Sequence, residues 1–325
     1  MTDGFYAKKT MTKVSVIIPT YNRAATVLNA VKSALDQSYP HIEVIVVDDG
    51  SSDETADLLK EYSSHVTVLH QTNSGPSVAR NHGARHASGD IFAFLDSDDV
   101  WMRDKIERQV ALMDECGARM TCCVCNSLIT NGIQCDDRES FGIAAIESEQ
   151  ERAVWKNPGE VLASRFLLFN QVAAIRRESF VKVGGYNPKM RLLEDHELAL
   201  RLAALGGVWG IISMPLVRKY NDTRGIGVVC CENSLAHSKA QRVALASVLE
   251  SGLVRDGQMR RQLKRRLRAN AREVRHETML ANAGWANRSL GRLGCVWSRM
   301  GNFLARKRFP KALTEEISVT NRNRL

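Results

Sequence analysis

Over the first hundred positions, short runs of β-branched and aliphatic residues alternate with stretches whose apolar residues recur every three or four positions. The runs fall at residues 14–19, 43–47, 66–70 and 91–95. Each is too short for a helix, and together they predict four buried strands. Within residues 24–37, Val27, Leu28, Val31, Ala34 and Leu35 keep helical spacing, which predicts a helix with one face on the sheet. A second helix is predicted over 53–62, with Ser51 or Ser52 as its cap. After a loop holding Asn73, Gly75 and Pro76, a third helix runs to Ala87, and Gly89 stops it. Strand and helix in alternation are the signature of a parallel sheet with crossover helices.

Beyond residue 100 the pattern is less regular. It predicts a helix over 104–115, a strand over 120–129, and a polar stretch over 131–157 with the character of a mobile loop. A helix over 193–204 follows, with acids in its first turn, where the helix dipole favours negative charge. From Met259 onward, Leu263, Leu267 and Val274 line one helical face, while Arg260, Arg261, Lys264, Arg265, Arg266, Arg268 and Arg272 fill the others. A second basic amphipathic stretch sets Trp285, Leu290, Leu293, Val296, Trp297, Met300, Phe303 and Leu304 against Arg288, Arg292, Arg299, Arg306, Lys307 and Arg308. There are no internal repeats or low-complexity tracts.

Composition narrows the class. With 325 residues, 44% hydrophobic and 25% charged, the chain has the balance of a globular protein with one large α/β domain and a smaller appendage. The expected division is a flexible N-terminal segment over 1–12, a catalytic domain over 13–235 with halves at 13–100 and 101–235, and a basic helical extension over 236–325. The net charge of +9 hides an asymmetry: residues 237–325 hold 20 Lys and Arg against 6 Asp and Glu, so they carry +14 and the rest −5. A basic segment of that kind implies an anionic partner. Three readings of it stay open: packing on the domain or on a second copy of the chain, association with an anionic membrane surface, and nucleic-acid binding. No recognised nucleic-acid module accompanies the charge, so nucleic acid is not the expected partner.

The eight cysteines show no zinc-ligand spacing, and Cys122, Cys123 and Cys125 read as buried thiols in a strand, which suits a reducing cytoplasm. The polar start over residues 1–13 lacks the apolar core of a secretory leader. The longest apolar-looking stretch, over 206–217, falls short of the ~20 residues that span a bilayer as a helix.

The candidate chemistry gathers where strands end. Asp96, Asp98 and Asp99 directly follow the fourth run, at the end of a strand where ligands collect in open α/β sheets. Three crowded acids need positive compensation, and a hard divalent cation beside a diphosphate supplies it; a solvated turn capping the next helix is the plainer alternative. Asp48, Asp49, Gly50, Ser51 and Ser52 follow the second run and suit either a base or ribose contact or a simple turn.

These blocks, in order, are Val14-Ser15-Val16-Ile17-Ile18-Pro19-Thr20-Tyr21-Asn22-Arg23, Val46-Val47-Asp48-Asp49-Gly50-Ser51-Ser52-Asp53, Asn73-Ser74-Gly75-Pro76-Ser77-Val78-Ala79-Arg80-Asn81 and Phe94-Leu95-Asp96-Ser97-Asp98-Asp99-Val100-Trp101. With Gly184-Gly185-Tyr186-Asn187 and Glu194-Asp195-His196-Glu197-Leu198, they closely resemble glycosyltransferase family 2 over about residues 13–205. The resemblance implies a Rossmann-like GT-A fold with a mostly parallel central sheet, a nucleotide-diphosphate sugar donor, a divalent metal (Mn²⁺ or Mg²⁺) and inversion at the anomeric carbon. It implies nucleotide contacts at Pro19, Tyr21, Arg23 and Arg80, a base contact at Asp49, a ribose-side acid at Asp96, a metal ligand at Asp98 and a general base at Asp195. His196 is expected on the helix surface or behind the site.

The chain departs from the family at Val217-Arg218-Lys219-Tyr220-Asn221-Asp222, where many relatives place a histidine after an arginine; Arg218, Lys219 and Tyr220 are the candidates to replace it. The expected acceptor is a glycan or lipid-linked saccharide, at the inner face of the plasma membrane. A nucleotide-sugar binding protein without catalysis is the alternative, with nucleic-acid binding through the tail behind it.

Overall fold

Each predicted run of the first hundred residues forms a strand. In the computed structural model, which describes residues 11–131, 141–143, 151–164, 170–221, 234–282 and 314–315, the order is β1 (Val14–Thr20), α1 (Val27–Leu35), β2 (Ile42–Asp48), α2 (Thr55–Lys60), β3 (Thr67–His70), α3 (Pro76–His86) and β4 (Ile91–Phe94). Strands β1 and β2, β2 and β3, and β1 and β4 all pair in parallel. All seven residues of β1 are buried, because helices cover both faces of the sheet; that is why the run is continuously apolar instead of alternating. Helix α3 lies close on this sheet: a Cβ on Gly83 would stand 2.6 Å from Ile17 Cγ2.

The second half brings antiparallel strands. It contains β5 (Val100–Trp101), α4 (Lys105–Cys116), β6 (Met120–Asn131), β7 (Phe141–Ile143), β8 (Arg152–Trp155), α5 (Pro158–Ser164), β9 (Ala173–Arg176), α6 (Arg177–Lys182), α7 (Glu194–Ala204), β10 (Val208–Asn221), α8 (Ser234–Glu250), α9 (Gly257–Asn282) and β11 (Thr314–Glu315). The sheet order among the described residues is β11-β8-β10-β6-β9-β4-β1-β2-β3, with β5 on β10 and β7 on β6. Among the described residues of this half only β6 and β10 pair in parallel, and β9 joins β4 antiparallel, so the sheet is parallel in its first half and mixed in its second. Register shifts on either side of Pro215 let β10 accept a proline inside the sheet.

Two expectations change. The stretch 131–157 is not all loop: residues 152–155 form β8, whose Ala153, Val154 and Trp155 are buried. Most of the remainder lies outside the described residues. Of the two places expected for His196, the helix surface is ruled out: the residue is fully buried, and burial, with Arg266 and His237 nearby, presses its pKa down to about 3. Cys122, Cys123 and Cys125 are buried free thiols of β6, as expected, and burial pushes their pKa values up.

The first basic stretch of the tail packs on the domain. Met259 and Leu263 of α9 are buried, with Met259 against Gly159 of α5, and Arg266 Nη1 donates to the carbonyls of Leu162 and Ala163 at 3.1 Å each. Asn270 Nδ2 donates to Ser238 O of α8 at 3.0 Å. The opposite face, with Arg260, Arg261, Lys264, Arg265, Arg268 and Arg272, is exposed. The stretch 285–308 lies outside the described residues. No helix among the described residues is long and apolar enough to cross a membrane.

Candidate active site

Strands β1, β2 and β4 run in parallel, so their carboxyl ends and the loops after them share one edge. The chain leaves β1 in opposite directions, toward β2 on one side and β4 on the other, which makes this edge a topological switch point. Asn22, in the left-handed region at φ 51°, ties the first two loops together. Its amide donates to Ser51 Oγ at 2.9 Å, and its Oδ1 accepts from the Ser52 amide at 2.8 Å. Ser51 and Ser52 therefore join two loops and do not cap α2; Asp53 instead accepts from the Thr55 amide.

Asp49 is buried and shapes the loop before α3. Its Oδ1 accepts from Gln71 Nε2 at 2.7 Å and the Ser74 amide at 2.8 Å, and its Oδ2 accepts from the Gly75 amide at 2.8 Å. Gly50 beside it has φ +80°, and a Cβ there would stand 2.9 Å from Asn73 N, so no side chain fits. Tyr21 is 47% exposed, an aromatic face at the rim. Pro19 is buried in β1 opposite Val47 and adds shape without a polar contact.

The remaining candidates form one charged cluster. Arg80, buried on α3, donates through Nη2 to Asp96 Oδ1 at 2.7 Å and through Nη1 to Glu194 Oε1 at 2.9 Å, with its guanidinium 5.2 Å over the Tyr186 ring. Burial works against its charge, but Asp96, Tyr186 and Glu194 outweigh it and hold the pKa above the ordinary value. Asp96 is half-buried; desolvation would raise its pKa, yet Arg80 and Lys219 pull it down. Asp195 follows Glu194 at the start of α7; burial and then the Glu194 charge push its carboxyl up to about 7, against the His196 amide, which donates to Asp195 Oδ1 at 2.7 Å.

Asp98 and Asp99 complete the block. Asp98 contacts Arg23 Nη2 at 3.3 Å, and burial together with Asp96 raises its pKa despite Lys219 and Arg23. Asp99 is fully buried; Lys219 Nζ is 3.2 Å from its Oδ2 and the Tyr220 amide donates to its Oδ1 at 3.1 Å. Burial and the neighbouring acids outweigh Lys219 and lift Asp99 to about 7. Of the three candidates at the departure from the family, Lys219 reaches Asp99 through its side chain and Tyr220 through its amide.

The donor set suits a hard cation. Asp96 is engaged by Arg80, and Asp99 by Lys219 and Tyr220, whereas Asp98, 19% exposed, has its long contact to Arg23 and a raised pKa that a dication would relieve. Among the described residues no group of three or more His, Cys, Asp or Glu is arranged to hold an ion by itself. Asp98 is the residue that would hold such a cation, with the remaining ligands left to phosphate oxygens and water, the donors that Mg²⁺ and Mn²⁺ prefer.

The model of glycosyl transferase family 2 matches residues 15–177, half of the chain. The chain belongs to glycosyl transferase family 2. This family 2 glycosyltransferase is 49% identical over 107 residues to the putative teichuronic acid biosynthesis glycosyltransferase TuaG of Bacillus subtilis, covering 31% of this chain and 42% of that one. It is 41% identical over 102 residues to an Escherichia coli UDP-Glc:alpha-D-GlcNAc-diphosphoundecaprenol beta-1,3-glucosyltransferase, WfgD, covering 31% and 40%. Among solved structures it is similar to the Pyrobaculum calidifontis mannosyltransferase PcManGT in complex with GDP-Man and Mn²⁺, at 20% identity and a TM-score of 0.54, over 91% of this chain and 86% of that one. That likeness shows the GT-A fold. The chain spans from 15% to 61% of the length of TuaG, WfgD and similar curated relatives, less than two thirds in each.

In this family 2 glycosyltransferase, Arg23, Arg80, Asp96, Asp98 and Asp195 come together, while Asp49 stands beside them as a loop organiser. Sequence reasoning assigned no site role to Glu194 or Tyr186; it placed Asp99 only in the acid cluster and Lys219 only among three candidates to replace the missing histidine. Glu194 and Tyr186 lie inside blocks already singled out; Lys219, 120 residues from Asp99, left no signal beyond the missing histidine.

Proposed function

We propose that the protein is an inverting glycosyltransferase that moves a sugar from a nucleoside diphosphate to a saccharide hydroxyl, with Asp195 as the general base. The observation that carries this reading is the cluster itself: a carboxyl held near neutral proton affinity beside the Arg80–Asp96 pair, at the carboxyl edge of the parallel strands. In a single displacement the acceptor oxygen attacks the anomeric carbon, its proton passes to the Asp195 carboxylate, and the bond to phosphate breaks with its electron pair leaving on the diphosphate. One base suffices, and the configuration inverts.

Tyr21, Arg23, Pro19 and Asp49 line the nucleotide side and Asp96 the ribose side, with Arg80 fixing Asp96 and Glu194 between them. Asp98 holds the divalent ion, which when bound neutralises charge on the leaving diphosphate. Mn²⁺ is the first ion to test, since it accompanies the nucleotide sugar in the PcManGT complex. A uridine donor and a lipid-linked saccharide acceptor are supported by the substrate in the name of WfgD, and a role in polysaccharide assembly by that of TuaG. The catalytic unit is 13–235, with the helical extension placing it at the inner face of a membrane.

Thermal stabilisation by UDP and GDP, with Mn²⁺ or with a chelator, tests the donor site. A nucleotide at about 100 times its Kd stabilises by about 2.7 kcal/mol, a rise of roughly 5–10 °C at this size. Melting curves unmoved by either nucleotide in both conditions would refute the reading.

A further inference from the structure

Lys219 and its partner Asp99 are charged side chains of the cluster that the roles above leave unused. Lys219 lies near the end of β10, two residues beyond Val217, which pairs with Trp101 of β5. That antiparallel contact draws the end of β10 against the segment following Asp96–Asp99, and the register shifts around Pro215 set its phase. The Lys219 side chain is 24% exposed, as are Asp96 at 21% and Asp98 at 19%, whereas Asp99 is wholly buried. Asp99 is thus the buried partner of the lysine, and the ammonium is close enough to the two half-buried outer acids, Asp96 and Asp98, to be coupled to their charges. A lysine that Asp99 and the fold already hold loses little side-chain freedom when an anion arrives, which makes it a better partner than a mobile surface lysine.

The charges in the cleft give it work to do. The partly exposed Asp96 and Asp98 would meet a ligand that is itself an anion, with Asp99 buried next to them, and Arg80 is committed to Asp96 and Glu194. We propose that Lys219 binds the donor's diphosphate directly, with Asp99 as its positioning residue, so that nucleotide binding persists in part without a divalent ion. The proposal rests on the reading of the cleft as a nucleotide-sugar site. The ammonium stays protonated: burial presses its pKa down, but Asp99, 3.2 Å away, together with Asp96 and Asp98 outweighs burial and raises it above the ordinary value.

Calorimetric titration of the full-length protein with UDP and with GDP, in Mn²⁺ and in chelator, tests it. Lys219→Met should weaken nucleotide binding in chelator by about tenfold or more, the loss of one hydrogen bond between charged groups, and by less in Mn²⁺. Lys219→Arg should recover most of the loss, which a purely structural lysine contact to buried Asp99 would not require of the binding isotherm. Equal affinity of wild type and Lys219→Met in chelator would overturn the proposal. If Lys219→Met alone fails to fold because Asp99 loses its partner, the Asp99→Asn, Lys219→Met double variant removes both charges. That variant should fold and still bind weakly in chelator, and wild-type affinity in it would overturn the proposal. A wild-type protein that binds neither nucleotide in either condition overturns the nucleotide-sugar reading itself, and this proposal with it.

Discussion

A carboxyl buried beside another acid keeps its proton, and Asp195 is under both pressures. Its ordinary value of 3.8 is raised to about 7, so a base there becomes competent as pH rises through neutrality. Turnover should therefore climb with pH up to and past about 7. Asp195→Asn should fold and bind nucleotide normally while turnover drops roughly 10²–10⁴-fold, the usual worth of a general base. Donor binding lost together with turnover would make Asp195 a binding residue. The same shift has a stability consequence of fixed sign. The folded state holds a proton between about pH 4 and 7 that the unfolded chain has released, so this contribution is full below pH 4 and gone as pH passes 7. The melting temperature of the wild type should fall across that window more steeply than that of Asp195→Asn. Arg80 is the complementary case, a buried cation shared by Asp96 and Glu194. Arg80→Met strands those acids and should cost about 3–5 kcal/mol in denaturant unfolding at pH 8. The cost should shrink at pH 5, where the stranded acids protonate. Residue types and their order made Asp96, Asp98, Arg80 and Asp195 legible in the sequence, because each stands in a short block at the end of a run. The partnership of Lys219 with Asp99 was not legible, since only the pairing of β10 with β5 brings the two together.

Elements of the first half were legible because β1, β2 and β4 are short apolar runs, α1 keeps an apolar stripe, and Pro76 and Gly89 bracket α3. β8 and β9 were not. Each has four residues, and their strand character comes from distant partners: Ile91 of β4 opposite Arg176 of β9, and Trp209 of β10 opposite Trp155 of β8. Such pairing is tertiary context, which local propensity does not carry. The turn before α7 shows an element fixed by one residue. Asn81 of α3 donates to the Tyr186 carbonyl and accepts from the Tyr186 amide, both at 2.8 Å, which holds the Tyr186 ring beneath Arg80. Gly185 has φ +70°, and a Cβ there would stand 2.6 Å from Asn81 Oδ1. Gly185→Ala should therefore destabilise by about 1–3 kcal/mol and reduce turnover as Arg80 loses its support. Unchanged denaturant midpoint and turnover in that variant would show that the clasp does not hold the cluster.

At the scale of the whole molecule, charge is divided between a body at −5 and a tail at +14, and the structure divides the tail again. The apolar side of α9 is spent on packing: Met259 and Leu263 are buried, and Arg266 ties the helix to α5. Its arginine face is left outward, and an anionic bilayer would draw that face in while repelling the acidic body. Packing and membrane binding therefore belong to opposite faces of one helix and can be removed separately. A protein lacking residues 257–325 loses both. Re-exposing the surface under Met259 and Leu263 costs about 1.5–3 kcal/mol for each side chain, so its melting temperature should fall by roughly 10 °C. The combined Arg261→Ser, Lys264→Ser, Arg265→Ser and Arg268→Ser variant changes exposed positions only and should melt like the wild type. Each of those charges contributes about 1 kcal/mol near an anionic surface, so flotation with anionic vesicles should drop sharply in this variant, and neutral vesicles should bind neither protein. Added salt should release the wild type, because surface charge is screened over about 8–10 Å. If the four-serine variant floats with anionic vesicles as well as the wild type does, the exposed face of α9 is not what meets the membrane.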